Sequence, residues 1–436
     1  MKKVYQYLRF RDLMPDDAGK FTLELTSKYF HKTIRDYTVA AIITGGQDAK
    51  AGRTVLTKKV ASLAPGEIAT FEFDVPEGMK KEMFFLVFPS KADSLVQYKV
   101  VEEEADPVEL LMANEVEEAR KYAVAWEGFT GGVDASVDES IYELATVPTM
   151  KVEDHDGNDA TIVGRDFEVK FQDGRLASVT YGGREVIRRG PELNFARAGV
   201  DNDKWLNAYN DAVMRADLQV ECRKFTVILF NIHCTEVETE HVYRRGPYSF
   251  VVDTKYTIYC NGAIRAENTI KPEFDSTAIS CLGFVFELPG DYTNVVYLGR
   301  GPQENYIDRR TGTYYDVFRT TVRDMFTKYS KTQHYGNRTG VSYVTLSSDG
   351  DAPALTFRCE KNAKGMEFTA TEWTQKEIAE ARTPDRLPKS DKTVLELDVY
   401  QAPLGGNSCG PVPMEKYVVR AGRDTTFKLD YNITRK

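Results

Sequence analysis

Three stretches of the chain combine carboxylates, amides and arginine with glycine and proline: residues 190–203, 299–309 and 401–411. The first holds Arg197 and the run Asp201-Asn202-Asp203, with Trp205 just beyond it. The second holds Glu304, Asn305 and Asp308, and the third holds Asn407, Ser408 and Cys409. His334 lies in a further polar stretch, residues 333–338. This mixture suits a hydroxyl-rich ligand, because sugar hydroxyls take planar bidentate partners and a sugar ring takes an aromatic face. The same residue types build buried polar networks, and by type alone that second reading is the stronger. Glu304 and Asp308 are the nearest approach to a pair of carboxylates, which glycoside hydrolysis needs about 5 to 10 Å apart. Arg300, Arg309 and Arg310 beside them favour structural ion pairing over acid catalysis. His334 is a candidate acid/base, though a lone histidine is more often a hydrogen-bonded structural residue. Cys409 has no evident histidine and aspartate partners, which weighs against a nucleophile.

Composition bounds the rest. The chain has 436 residues, 57 Lys plus Arg against 66 Asp plus Glu, and a net charge of −9. That balance argues against duplex nucleic acid or an anionic membrane as a main partner. No apolar run approaches the length of a membrane-spanning helix. The six cysteines form no CxxC, and the five histidines form no HxH or HExxH, so no metal is expected in this chain. If Met1 is the genuine start, the absence of an apolar leader core points to the cytoplasm.

The elements that must position these residues read as strands. Of the aromatic residues, 24 are Tyr and 23 are Phe, types that favour strands. Residues 68–73, 394–400 and 426–431 alternate apolar and polar, the pattern of half-buried antiparallel strands with charges outward. Residues 83–88 and 225–230 are continuous apolar runs, expected as strands covered on both faces or as sheet centres. Three helices are expected: 108–121 behind Asp106-Pro107, a short one opened by the capping box Thr374 and Glu377, and one whose face carries Trp205, Leu206, Tyr209, Ala212 and Val213. The expected division is a small β-sandwich over 1–130, a linker and lead-in strand over 131–160, and a large β domain over 161–436.

The ordered motifs resemble the C-terminal part of the large bacterial β-galactosidases of glycoside hydrolase family two. Arg197 with Asp201-Asn202-Asp203 is similar to a stretch of that family. Residues 301–309, Gly-Pro-Gln-Glu-Asn-Tyr-Ile-Asp-Arg, are the closest match, and 333–339 and 404–411 follow in the family's order. Residues 29–30, 63–66 and 122–129 resemble the small sandwich that follows the family's catalytic barrel. The resemblance implies an all-β chain: an immunoglobulin-like sandwich, then a large antiparallel supersandwich similar to galactose mutarotases. It also implies that the catalytic glutamates lie on a barrel outside this sequence, together with any magnesium or sodium. The chain then holds no catalytic residue of its own. Its implied partners are that barrel, on the same polypeptide or a separate subunit, β-galactoside sugars, and further copies of itself. The implied pocket residues are Arg197, Asp201, Asn202, Asp203, Trp205, Glu304, Asn305, His334, Asn407, Ser408 and Cys409. The family's aromatic platform near 404–411 has no Trp here; Trp205 is the candidate substitute. The rival readings are a stand-alone carbohydrate-binding module and an epimerase using Glu304 and His334.

Overall fold

The computed structural model describes residues 6–13, 20–44, 53–74, 82–89, 106–113, 115–130, 150–231, 234–359, 365–405 and 412–435. The chain is all-β and divides into two compact units, Met1–Asp134 with Thr311–Asp316, and Ala135–Arg310 with Val317–Lys436.

The first unit is an immunoglobulin-like sandwich. One sheet takes its strands in the order Leu8–Leu13, Lys20–Ser27, Ile68–Asp74. The other runs Arg53–Leu63, Ile34–Thr44, Glu82–Phe88, Ala125–Thr130. Alternation places Phe21, Leu23 and Leu25 on the inner face, where they meet Val39, Ala41, Phe85 and Val87. The 83–88 run is covered on both faces, as its composition predicts: Leu86 and Phe88 turn to the opposite side and pack with Ala40 and Ile42 against two short helices. The helix expected over 108–121 is these two pieces, Pro107–Met112 and Val116–Tyr122. Packing overrides local propensity here, because the break lets Leu111 and Ala119 both reach the same sheet face. Arg120 stacks over Tyr314 with its guanidinium carbon 4.2 Å from the ring centroid and pairs with Asp316 at 2.6 Å, which joins the 311–316 segment to this unit.

The second unit has three larger antiparallel sheets. The lead-in sheet contains Lys151–Asp156, Asp159–Val163, Phe167–Gln172, Arg175–Tyr181 and Arg184–Ile187. A ten-stranded sheet begins with four long strands, Gln219–Asn231, Cys234–Arg245, Tyr248–Tyr259 and Ile264–Pro272. A five-stranded sheet runs Arg189–Asn194, Cys281–Pro289, Lys392–Gln401, Met366–Thr371, Arg338–Val341. The last two share a core in which Phe286 meets Phe357 and Tyr431, with ring centroids 5.0 and 5.7 Å apart.

Two strand expectations need correction. The 225–230 run is not covered on both faces: Gln219–Asn231 is the edge strand of its sheet, and Ile228 is 40% exposed. The 394–400 run does not turn its charges outward. Lys392–Gln401 is the central strand of the five-stranded sheet, with neighbours on both sides, and Glu396 and Asp398 are 1% and 0% exposed. Glu367 sits directly across from Asp398 in the pairing register, so the three carboxyls share one face. Glu396 Oε2 and Asp398 Oδ1 have no hydrogen-bond partner among the described residues.

Burial lifts Glu367 and Glu396 each to about 7. Asp398 is pushed well above the usual carboxylate range, first by burial and then by the charge of Glu396. Arg310 and Arg197 oppose the shift only at Glu367. The unfolded chain releases these protons near pH 4. Because the folded state holds them longer, their stabilisation is complete below that pH and declines as pH rises through about 7. Stability should therefore fall by on the order of 3 kcal/mol between pH 5 and pH 8 in urea unfolding. Asp398→Asn, a neutral mimic of the protonated acid, should be tolerated at pH 6 and should flatten that decline. A profile that rises with pH in both proteins would show the carboxyls to be ionised in the fold.

Candidate functional site

The segment leaving the central strand, residues 402–405, is held from three directions. Arg197, fully buried, follows the strand Arg189–Asn194. Its Nη1 donates to the Ala402 carbonyl at 2.6 Å, and its Nη2 approaches the Pro403 carbonyl at 3.4 Å. Asn202 Nδ2 donates to the Leu404 carbonyl at 3.0 Å. Asp308 accepts from the amides of Leu404 at 3.1 Å and Gly405 at 2.8 Å. Every backbone polar group gripped here lies just before residues 406–411. Asn407, Ser408 and Cys409 fall outside the described residues.

The grip rests on a bidentate pair. Arg197 Nη2 and Nε donate to Asp203 at 2.6 and 3.1 Å, and Asp203 is 2% exposed. Asp203 Oδ2 also accepts the Val200 amide at 3.1 Å, which closes the turn between the two partners. Burial alone would lower the Arg197 guanidinium; the Asp203 carboxylate outweighs it and holds the group above its usual range. Asp203 opens a short 3-10 turn, Asp203–Leu206, that leads into the helix Asn207–Arg215. This is the helix expected from the Trp205 to Val213 face. Trp205 is half-buried against the core. Asp201 points outward and pairs with Lys331 at 3.5 Å, while its amide donates to Gln333 at 3.1 Å.

The 299–309 stretch is a second built loop, entered through the cis peptide Gly301-Pro302. Asn305 is its hub. Its amide side chain donates to the carbonyls of Arg300 and Gln303 at 3.0 and 3.1 Å, and its Oδ1 accepts from the Thr339 amide and hydroxyl at 3.1 and 2.5 Å. Glu304 accepts from the Tyr329 hydroxyl, from Thr327 at 3.2 Å and from the Gly336 amide at 2.9 Å. The lone pairs of Glu304 and Asp308 are thus committed to neighbouring donors, and the pair does not form a free acid/base couple. His334 is 1% exposed and its Nδ1 lies 2.9 Å from the Tyr306 hydroxyl. Burial, and then the Arg197 charge, push its pKa well below the ordinary value, so it is neutral at physiological pH. Its backbone amide donates to the Ala198 carbonyl at 3.0 Å, which ties the 333–338 stretch to the Arg197 turn.

Two amides missing from the sequence reading connect these loops to the carboxyls of the five-stranded sheet. Gln375 accepts the Ala198 amide at 2.9 Å and donates to Glu396 at 2.9 Å. Asn337 donates to the Asn305 carbonyl at 3.0 Å and to Glu367 at 2.6 Å. Gln375 gave no signal beyond its place after the Thr374 cap, whose capping box is present as expected. Asn337 lies in a stretch already singled out and was detectable there. Tyr306 and Tyr329 carry hydroxyls that matter only once their partners are known. Among the described residues no group of three metal-binding side chains is found.

With this geometry in view, relatives of the chain are informative. Residues 163–431 match the family described as beta galactosidase small chain. A β-galactosidase of Halalkalibacterium halodurans is 30% identical over 290 residues, covering 62% of this chain and 27% of that protein. One of Priestia megaterium is 27% identical over 293 residues, covering 66% of this chain and 27% of that protein. The chain therefore spans about a quarter of the length of these relatives. Among solved structures, a galactose mutarotase related enzyme of Lactobacillus acidophilus is 11% identical with a TM-score of 0.35, covering 64% of this chain and 97% of that one. A galactose mutarotase-like protein of Clostridium acetobutylicum is 8% identical with a TM-score of 0.34, covering 66% and 99%. These overlaps are partial, and the assignment rests on the family match across the whole Arg197, Glu304 and His334 region: the chain belongs to the beta galactosidase small chain family.

Proposed function

We propose that this chain is the C-terminal, non-catalytic portion of a β-galactosidase, and that its second unit completes the sugar pocket where residues 402–405 leave the central strand. The observation that carries the reading is the threefold grip of Arg197, Asn202 and Asp308 on residues 402–405. Backbone held by charge-assisted bonds, as at residues 402–405, is suited to shaping a pocket, because positioning within a fraction of an ångström matters there. Glu304 and Asp308 support the reading by their engagement: each carboxylate serves the loops rather than a reacting bond. The hydrolytic carboxylates would be supplied by a catalytic barrel, in the same polypeptide or a separate subunit, and would act on terminal β-galactosides. Asp201, exposed at the turn beside Asn202, and the half-buried Trp205 would border such a pocket.

The purified chain should hydrolyse nitrophenyl galactoside no faster than buffer, at high protein concentration and with its mass confirmed. Turnover that survives repurification would place the chemistry inside this chain and overturn the reading. Arg197→Met leaves Asp203 buried without its partner, and should cost roughly 3–5 kcal/mol in urea unfolding. Asp308→Asn keeps the shape but turns an NH2 donor toward one of the two amides, so one bond is lost and the other loses its charge, and should cost about 1–3 kcal/mol. In an assembled active enzyme the same Asp308→Asn change should raise KM for the galactoside several-fold. An unchanged KM would show that the grip on residues 402–405 is structural only.

A further inference from the structure

The strand Gln219–Asn231 ends the ten-stranded sheet, and among the described residues only Cys234–Arg245 pairs with it. An edge strand presents unpaired backbone N–H and C=O groups, and folds usually blunt it with charge, proline or a bulge. Here the blunting stops halfway. Glu221, Arg223 and Lys224 occupy the first half, where the register also shifts between Cys222 and Lys224. These charges are engaged within the chain: Arg223 lies 3.8 Å from Glu221 and 3.9 Å from Glu240, and Lys224 pairs with Glu238 at 2.7 Å. From Phe225 to Phe230 the sequence holds no charge and no proline. Pairing is regular from Lys224 to Ile228. Phe225 and Val227 stand opposite Thr239 and Val237 and pack on the core side, Phe225 against Phe171 with ring centroids 5.7 Å apart. Thr226 and Ile228 stand opposite Glu238 and Glu236 on the other face, where Ile228 is 40% exposed. An apolar run whose composition suits a sheet centre thus sits at a sheet edge.

We propose that the Phe225–Ile228 stretch is an interface for a second copy of this chain: the two edge strands pair antiparallel about a two-fold axis near Val227 and continue the sheet from one chain into the next. The pattern of the strand is complementary to itself, as a two-fold contact requires. With the axis at Val227, Thr226 of each copy stands opposite Ile228 of the other on the solvent face, so each exposed Ile228 gains an apolar and methyl-bearing neighbour. Arg223 and Lys224 of one copy then lie at the far end from their counterparts. Sliding the pairing toward the charged half would set Arg223 against Arg223 or Lys224 against Lys224, which like charges oppose. The same charges that blunt one half of the edge therefore select the register of the other half. The outward backbone groups of the stretch, which water alone serves in the single chain, gain N–H and C=O partners. The pairing is short, so the dimer should form at roughly 10–100 µM chain and dissociate on dilution.

The test is sedimentation equilibrium of the purified chain across a dilution series, joined to amide hydrogen exchange read by mass spectrometry. The unaltered chain should reach twice its own mass at the upper end of the series. Exchange of the amides over residues 224–228 should be about tenfold slower there than at the dilute end. Ile228→Lys adds a charge on the solvent face opposite Glu236, where the single chain tolerates it; it should leave the urea midpoint unchanged, remove the dimer and abolish the concentration dependence of exchange. Thr226→Lys, on the same face, should do the same and replaces Ile228→Lys if that variant fails to fold. A chain that stays single up to about 1 mM would overturn the proposal. So would a dimer that both lysine variants leave intact, or one in which exchange over 224–228 does not slow. Open-ended assemblies in place of a closed dimer would overturn the two-fold pairing.

Discussion

The Arg197–Asp203 pair is the contact on which the second unit's loops depend. Both groups are removed from water, and that removal is costly unless geometry and further hydrogen bonds compensate. Here they do. The guanidinium spends two donors on the carboxylate and turns two more to the carbonyls of Ala402 and Pro403. The carboxylate takes the Val200 amide as well. Lysine, a single point charge, could not hold a carboxylate in bidentate fashion and reach two carbonyls just past the end of the central strand. One side chain thereby sets the 197–203 turn and the exit of the central strand at once.

The surrounding network extends that arrangement through neutral and acidic groups. Gln375 bridges a loop to the buried Glu396 and Asn337 bridges one to the half-buried Glu367, so the five-stranded sheet and the loops at its end form one connected polar system. Placing Glu367, Glu396 and Asp398 on one covered face makes the sheet's interior sensitive to protons, because burial and mutual repulsion both favour the neutral acids. His334 is governed by the same physics with the opposite sign: burial and a neighbouring cation keep it neutral. A polar interior of this kind stabilises a fold only when its members are satisfied, and the loops supply much of that satisfaction.

Much of this was legible in the residues themselves. Tyr and Phe in alternating runs dictate strands, and the Thr374 cap and the Trp205 to Val213 face dictate helices, because both depend on neighbours a few positions away. The ordered motifs around Arg197, Glu304 and His334 were equally visible, and the family match covers them. Less visible was how their side chains are used. Glu304 and Asp308 invite an acid/base reading until their donors are seen, and those donors come from residues 23 to 97 positions away.

The sequence by itself determined the all-β class, the short helices and the family motifs, since periodicity, caps and turn residues act over a few residues. Tertiary structure alone decided which charges are buried. In the 394–400 run, alternation placed Glu396 and Asp398 opposite the apolar residues, and that is correct; whether that side meets water depends on what covers it. A strand at a sheet's edge and a strand at its centre can carry the same pattern. Lys392–Gln401 lies at the centre, and its long-range neighbours turn two ordinary carboxylates into buried acids.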